Sequence, residues 1–234
     1  MVTDDKFRLL SQGELVVTGR LIDASNATLL ASITFDDRFI DAIYKPIAGE
    51  RPLWDFPDGD LANREYAAYL VSEYLGLSLV PLTILRDGPY GFGMVQEWID
   101  IDESIDLGAF FSTDNPSLRS MALFDAIINN TDRKIGHLLP TASGALYGCD
   151  HGVTFHVEDK LRTVLWQWAG DLLTDTEISL LHKLAIGLDS ELDMSSHLTL
   201  SEIDALKSRI FRLMTEAKMP QPNPNWPAIP WPAF

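Results

Sequence analysis

The chain has 234 residues, 46% of them hydrophobic and 22% charged, a balance that excludes a mainly disordered or collagen-like polymer. Its 18 basic and 34 acidic residues leave a net charge of −16, which argues against nucleic-acid binding through phosphate neutralisation and makes any local basic site conspicuous. Cys149 is the single cysteine, so an intrachain disulfide and a paired-thiol redox motif are both excluded.

The opening residues, MVTDDKFRLLSQGE, lack the basic and apolar regions of a signal peptide. No run approaches the ~18 uncharged apolar residues of a membrane span. With a lone cysteine, this gives the expectation of a cytoplasmic protein.

The first 45 residues read as a β-meander. Glu14 to Leu21 and Ala27 to Thr34 are rich in strand formers, with turn chemistry at Asp23-Ala-Ser-Asn26 between them. Phe39 to Tyr44 forms a third strand that ends at Lys45. A loop dense in Pro and Gly follows to Asp60, where Asp60 or Asn63 caps a helix that runs to Gly76. Leu79 to Leu85 and Gly93 to Ile99 read as two strands around a turn over residues 86–91.

Past Asp100 the pattern becomes helical. Ser117 to Asn129 places Leu118, Met121, Phe124 and Ile128 on one side, together with Asp125, which therefore needs a buried partner or a cleft. A short strand pair is expected around Leu146 to Phe155, then helices at Asp175 to Leu188 and Ser201 to Ala217. The tail, PQPNPNWPAIPWPAF, cannot be helical. It is expected to lie extended in a groove, covering Trp226, Trp231 and Phe234. Strands followed by helices predict an α+β chain of two lobes.

Charged residues end structural elements at Lys45, at Asp132 and Arg133 after a buried helix, and at Asp150 after an apolar strand, and Glu65 lies on the first long helix. Singly, each is ordinarily a solvated end or a structural ion pair. In chain order Lys45, Glu65, Asp132 and Asp150 form a phosphoryl-transfer set. Lys45 neutralises nucleotide phosphates, Glu65 holds the lysine, Asp132 orients an attacking hydroxyl and Asp150 binds a bridging cation. The Gly-rich Walker pattern is absent.

These residues, in the segments AIYKP (42–46), NREYAAYLVSEYLG (63–76), MVQEWI (94–99), NNTDRKIGHLL (129–139) and YGCDHGVTFHVEDKLRTVLW (147–166), resemble the phosphatidylinositol 3-/4-kinase-like branch of the protein-kinase-like fold. The closer likeness is to its small actinobacterial members. The resemblance implies an α+β, bilobal protein-kinase-like fold. Residues 1–99 would form an antiparallel β-sheet lobe with one helix, and residues 100–234 a mainly helical lobe. That second lobe would carry the catalytic loop (129–139), an Asp-x-Gly motif (150–152) and the Pro/Trp-rich tail (219–234).

By the same resemblance, Lys45, Glu65 and Asp132 are the catalytic set, and Ser25, Asn26 and Ala27 cap the nucleotide phosphates. Gln96, Glu97, Trp98 and Ile99 meet the adenine edge. The implied cofactors are ATP with Mg²⁺ or Mn²⁺, held by Asp150 and His137. His137 stands where the family carries asparagine, and metal ligation, phosphate contact and simple packing are all open to it.

The implied activity is transfer of the γ-phosphate to a hydroxyl of a protein or small molecule. Adenylyl transfer on the same fold, or nucleotide binding without turnover, are the alternatives. The acidic charge and short segment after Asp150, whose only basic residues before Trp166 are Lys160 and Arg162, disfavour an anionic membrane as partner. A hydrolytic metal cluster of His137, Asp150, His151 and His156 is a weaker rival.

Overall fold

The computed structural model describes residues 3–21 and 26–234. The chain begins with α1 (Thr3–Gln12), β1 (Glu14–Arg20), β2 (Leu29–Phe35) and β3 (Arg38–Pro46). Next come α2 (Leu61–Leu75), β4 (Thr83–Gly88), β5 (Gly91–Glu97), α3 (Leu107–Phe110) and α4 (Pro116–Ile128). It closes with β6 (Leu138–Pro140), β7 (Leu146–Gly148), α5 (Asp175–Leu188) and α6 (Leu200–Glu216). The result is the expected α+β fold, an antiparallel sheet layer against a larger helical body.

Five antiparallel strands lie in the order β1-β2-β3-β5-β4. Alternation along them buries Ile33, Ala42, Tyr44 and Val95 on one face, where Leu10 of α1 completes a small core. The helix α1 corrects the reading of the first 45 residues as strands alone. Asp4 and Asp5 sit in its first turn, and Leu9 and Leu10 are buried against the sheet. Arg86 Nη1 donates to Leu10 O (2.5 Å) and Gly13 O (3.0 Å) at the end of α1, satisfying carbonyls that would otherwise be orphaned.

The caps of α2 follow the sequence. The Asp60 carboxylate accepts from the Asn63 amide at 2.7 Å, and Gly76 ends the helix at φ 73°. Glu50 adds a second clamp, accepting from the Leu61 and Ala62 amides at 2.9 Å each. Ala67, Ala68, Val71 and Leu75 of α2 are buried in the same core as Leu118, Phe124 and Ile127 of α4. The helix thus shares the core of the helical lobe, although its chain position lies between strands of the sheet.

The strand pair expected over 146–155 is instead β6 with β7, Leu138 facing Gly148 and Pro140 facing Leu146. Beyond Gly148 the backbone leaves the extended region, with Asp150 at φ 60° and Phe155 at φ 61°. The segment 161–168 is likewise no regular strand. Trp168 is buried there, and its indole N–H donates to Asp114 at 3.1 Å.

The tail is extended and runs back along the helical lobe. Ala228 O accepts from the Thr163 amide (3.1 Å) and the Trp166 indole (2.9 Å), and Ala233 O from the Ile135 amide (2.9 Å). The expectation that all its aromatics are covered is corrected: Trp231 is 92% exposed, because the backbone carbonyls rather than the rings anchor the segment. No helix among the described residues is long and apolar enough to cross a membrane.

Candidate active site

Since Tyr44 points into the sheet core, period-two alternation turns Lys45 to the opposite face, toward α2 and the helical lobe. There its Nζ lies 2.6 Å from Glu65 Oε1 and 2.8 Å from Asp150 Oδ1. Glu65, 1% exposed, uses its other oxygen to accept from the His151 amide at 2.9 Å. One carboxylate therefore fixes both the lysine and the Asp150-His151-Gly152 segment. Gly152 lets α2 run close by, since a Cβ there would meet Leu61 Cβ at 3.1 Å. The left-handed backbone of Asp150 costs of order 1 kcal/mol, a strain that recurs at functional sites.

The loop carrying Asp132 is built by two asparagines. Asn129 ends α4 at φ 52°; its side chain donates to His156 O and Glu158 O and accepts from the Lys160 amide. Asn130 accepts from the Asp132 amide at 3.0 Å and donates to Asp125 at 2.9 Å. Arg133 turns inward. Fully buried, it meets the fully buried Asp125 through Nε (3.1 and 3.0 Å) and Nη2 (2.9 Å), and donates through Nη1 to Cys149 O (3.0 Å). The partner expected for Asp125 is thus the residue next to Asp132. Arg133 Nη2 also lies 2.7 Å from His151 Nε2; an arginine is donor only, so His151 accepts there and carries its proton on Nδ1.

Between the sheet and the helical lobe lies a cleft of about 570 Å³. Lys45, Glu65, Asp132 and Asp150 line its interior, with Asn26 and Ala27 on the sheet side. Trp54, Arg162 and Trp226 line it as well. Asn26 and Ala27 are tied to the β3–α2 loop through Arg51 N to Asn26 Oδ1 (2.9 Å) and Ala27 N to Gly49 O (3.3 Å). Ser25, expected in the same turn, lies outside the described residues.

The charges are strongly coupled. Burial opposes the Lys45 charge, but Asp150 and Glu65 more than offset it and hold the ammonium above its ordinary range. Lys45 in turn holds Asp150 well below the usual carboxylate range. Asp132 moves the other way, raised chiefly by burial and also by Asp150, with Lys134 and Arg162 opposing. Burial pushes the Cys149 thiol up to about 12 and keeps His151 neutral.

His137 lies with Nε2 3.6 Å from Asp150 Oδ2. Burial pulls it down to about 4, so it is neutral at pH 7. Its Nδ1 accepts from the Lys134 amide at 3.4 Å, which leaves the proton on Nε2, facing Asp150. Ligation of a cation through Nε2 requires the opposite tautomer, with Nδ1–H set against that amide. Among the described residues no three or more His, Cys, Asp or Glu side chains gather into a self-sufficient metal site. The donor set that is present, Asp150 Oδ2 with Asp132 on the same cleft, suits a hard cation that takes its remaining ligands from phosphate and water. His156 is engaged elsewhere, its Nε2 2.8 Å from Asp55 O.

Gln96, Glu97, Trp98 and Ile99 are not among the residues that line the cleft. Gln96 is buried and donates to Thr83 Oγ1 at 2.9 Å; the Glu97 amide donates to Leu82 O and the Trp98 amide to Asp41 O. Conversely, Trp54, Arg162 and Trp226 line it although nothing in their local pattern marks them. They come from loops and the tail, brought together only by the fold.

A sheet lobe on a helical lobe, with Lys, Glu and two Asp converging between them, defines a protein of the protein-kinase-like fold. Golgi casein kinase with Mn/ADP bound superposes with a TM-score of 0.60 at 13% identity, over 92% of this chain and 75% of that one. The structure of hydra Fam20 with sugar gives 0.57 at 13% identity, over 90% and 86%. At such identities the likeness shows the bilobal fold. No protein-family model matches the sequence. The chain belongs to the same family as protein Rv2133c of Mycobacterium tuberculosis (strain ATCC 25618 / H37Rv), to which it is 43% identical over 268 aligned positions, 99% of this chain and 96% of the relative.

Proposed function

We propose that the cleft binds ATP with Mg²⁺ or Mn²⁺ and transfers the γ-phosphoryl group to a hydroxyl acceptor. The observation that carries this reading is the Lys45 ammonium, held at 2.6 Å by Glu65 and 2.8 Å by Asp150, in the cleft that Asp132 also lines. Lys45 contacts the phosphates, Glu65 positions it, and the Asn26–Ala27 turn closes over them from the sheet side. A bound cation would supply charge neutralisation to the phosphates; Asp150 would hold it through Oδ2, and His137 would need its other tautomer to join.

The acceptor oxygen attacks the γ-phosphorus, the bond to the β–γ bridging oxygen breaks, and ADP leaves. The hydroxyl proton passes to Asp132, whose raised pKa suits a base more than that of an ordinary aspartate. The order Lys45, Glu65, Asp132, Asp150 supports a phosphatidylinositol 3-/4-kinase-like assignment, while the net charge of −16 supports a soluble acceptor over a lipid surface.

Calorimetric titration of ATP with each cation, followed by mass analysis of products, tests this. Asp132→Asn should leave nucleotide affinity within about twofold and reduce transfer by ~10²–10⁴. Full turnover in that variant removes Asp132 from the mechanism. An acceptor that gains AMP instead of phosphate replaces the reading with adenylyl transfer, and metal-dependent binding without any product replaces it with a nucleotide-binding module.

A further inference from the structure

Resting on the phosphotransfer reading, we infer that Arg162, backed by Trp226, recognises the acceptor, and that the acceptor is a small hydroxyl compound carrying its own phosphate or carboxylate group. Arg162 stands in the cleft beside Asp132, near enough to pull on the Asp132 carboxylate without an ion pair forming. Its Nε donates to Thr131 O at 2.6 Å and its backbone amide to Asn130 O at 2.9 Å, so the residue is anchored on the loop that carries Asp132. Its guanidinium lies 5.6 Å from the centre of the Trp226 ring, a cation–π contact that holds the group in place.

The nearby acids are already taken. Asp55 and Glu158 face Lys160 (3.9 and 3.2 Å), and Asp159 faces Arg212 and Arg209 (2.7 and 4.0 Å). Among the described residues no carboxylate forms an ion pair with Arg162. In a chain of net charge −16, a fixed arginine without an acid, placed next to the proposed base, suits an anionic ligand.

Size follows from the tail. An extended peptide acceptor would pair with backbone donors flanking Asp132, but the Ile135 and Thr163 amides are bonded to Ala233 O and Ala228 O of the chain itself. The same tail delivers Trp226 as a wall of the cleft. What remains open is a pocket with a cationic fork, a flat aromatic side and the base. A compound that offers its anion to Arg162 presents its hydroxyl to Asp132.

The test uses the full chain loaded with a non-hydrolysable ATP analogue and Mn²⁺, so that the phosphate site is filled, and titrates glycerol 3-phosphate by calorimetry. Saturable binding that glycerol does not show, weakened at least tenfold in Arg162→Gln and less in Arg162→Lys, with analogue affinity unchanged in both, is the expected result. Equal responses to glycerol and glycerol 3-phosphate, or a response indifferent to Arg162→Gln, overturns the inference. So does binding of a serine-containing peptide in place of the phosphate compound, which makes the acceptor a protein. If Arg162→Gln weakens the analogue instead, Arg162 belongs to the nucleotide. Failure of the wild-type chain to bind the analogue is a separate outcome, read in the first titration, and counts against the phosphotransfer reading itself.

Discussion

Replacing Asp125 by Ala leaves the Arg133 guanidinium charged in a site where both partners are 0% exposed. Breaking one side of a buried pair costs about 3–5 kcal/mol, because the surviving charge stays desolvated. Asp125 also accepts from Asn130 at 2.9 Å and Thr163 at 3.3 Å, and losing those adds roughly 1 kcal/mol. The total, about 5 kcal/mol, is a large share of the ~5–15 kcal/mol of a typical domain. With a urea slope of about 2–3 kcal/mol/M, the unfolding midpoint at pH 7.5 should fall by about 2 M.

Arg133→Met alone should cost a comparable amount. The double variant Asp125→Leu/Arg133→Met removes both charges and should be more stable than the two single losses summed, by about 2 kcal/mol or more. Arg133 also donates to Cys149 O, so the singles should loosen Asp132 and Asp150 together and lower nucleotide affinity at temperatures where the fold survives. A single-variant loss below about 1 kcal/mol, or strict additivity in the double, refutes the reasoning.

Lys45→Met should weaken ATP binding at least tenfold by calorimetry, and unchanged affinity would take Lys45 out of the site. Stability should fall as pH drops from about 6.5 to 4, since His137 stays neutral to about 4 in the folded chain while the unfolded chain takes up protons near 6.5. Buried His151 acts in the same direction, and below about pH 4 the loss continues as the unfolded chain protonates the position that Lys45 keeps ionised at Asp150. Urea midpoints at pH 7, 5.5 and 4.5 check this, and a flat profile between the first two contradicts it. Glu65→Gln should cost about 1–3 kcal/mol of stability, measured in the same way, because the carboxylate half of a buried ion pair with Lys45 becomes an uncharged amide.

Much of the fold could be read locally. The bounds of α5 coincide with the expected Asp175–Leu188, fixed by the reciprocal Thr174–Glu177 capping box, and α2 starts and stops on its Asp60 and Gly76 caps. The misses have local causes too. The three residues of β6 are too few to show alternation, so its pairing with β7 was invisible. Helix α1 carries only a short apolar patch whose burial depends on a sheet not yet formed. In the site, Lys45, Glu65, Asp132 and Asp150 were legible because each is a charge set beside an apolar element. Arg162 and Trp226 were not, since 64 residues of sequence separate them and only tertiary structure relates them. The Glu97 and Trp98 amides look available in sequence, but they are bonded to Leu82 O and Asp41 O, ties that only the folded sheet reveals.

The membership of α2 in the helical core limits how the cleft can open. In kinases the helix that bears the lysine's partner is a point of control, set in or out of place. Here, swinging α2 away would expose Val71 and Leu75, worth about 1.5–3 kcal/mol each. It would also strand the buried Arg64–Glu202 pair (2.7 Å) and break Tyr74 to Glu191 (2.6 Å) and His197 to Asn63 (2.7 Å). Those losses approach the stability of the whole domain. Because α2 also packs on β4 and β5, it bolts the sheet to the helical lobe, and Glu65 and Asp150 stand as a stationary anvil beneath Lys45.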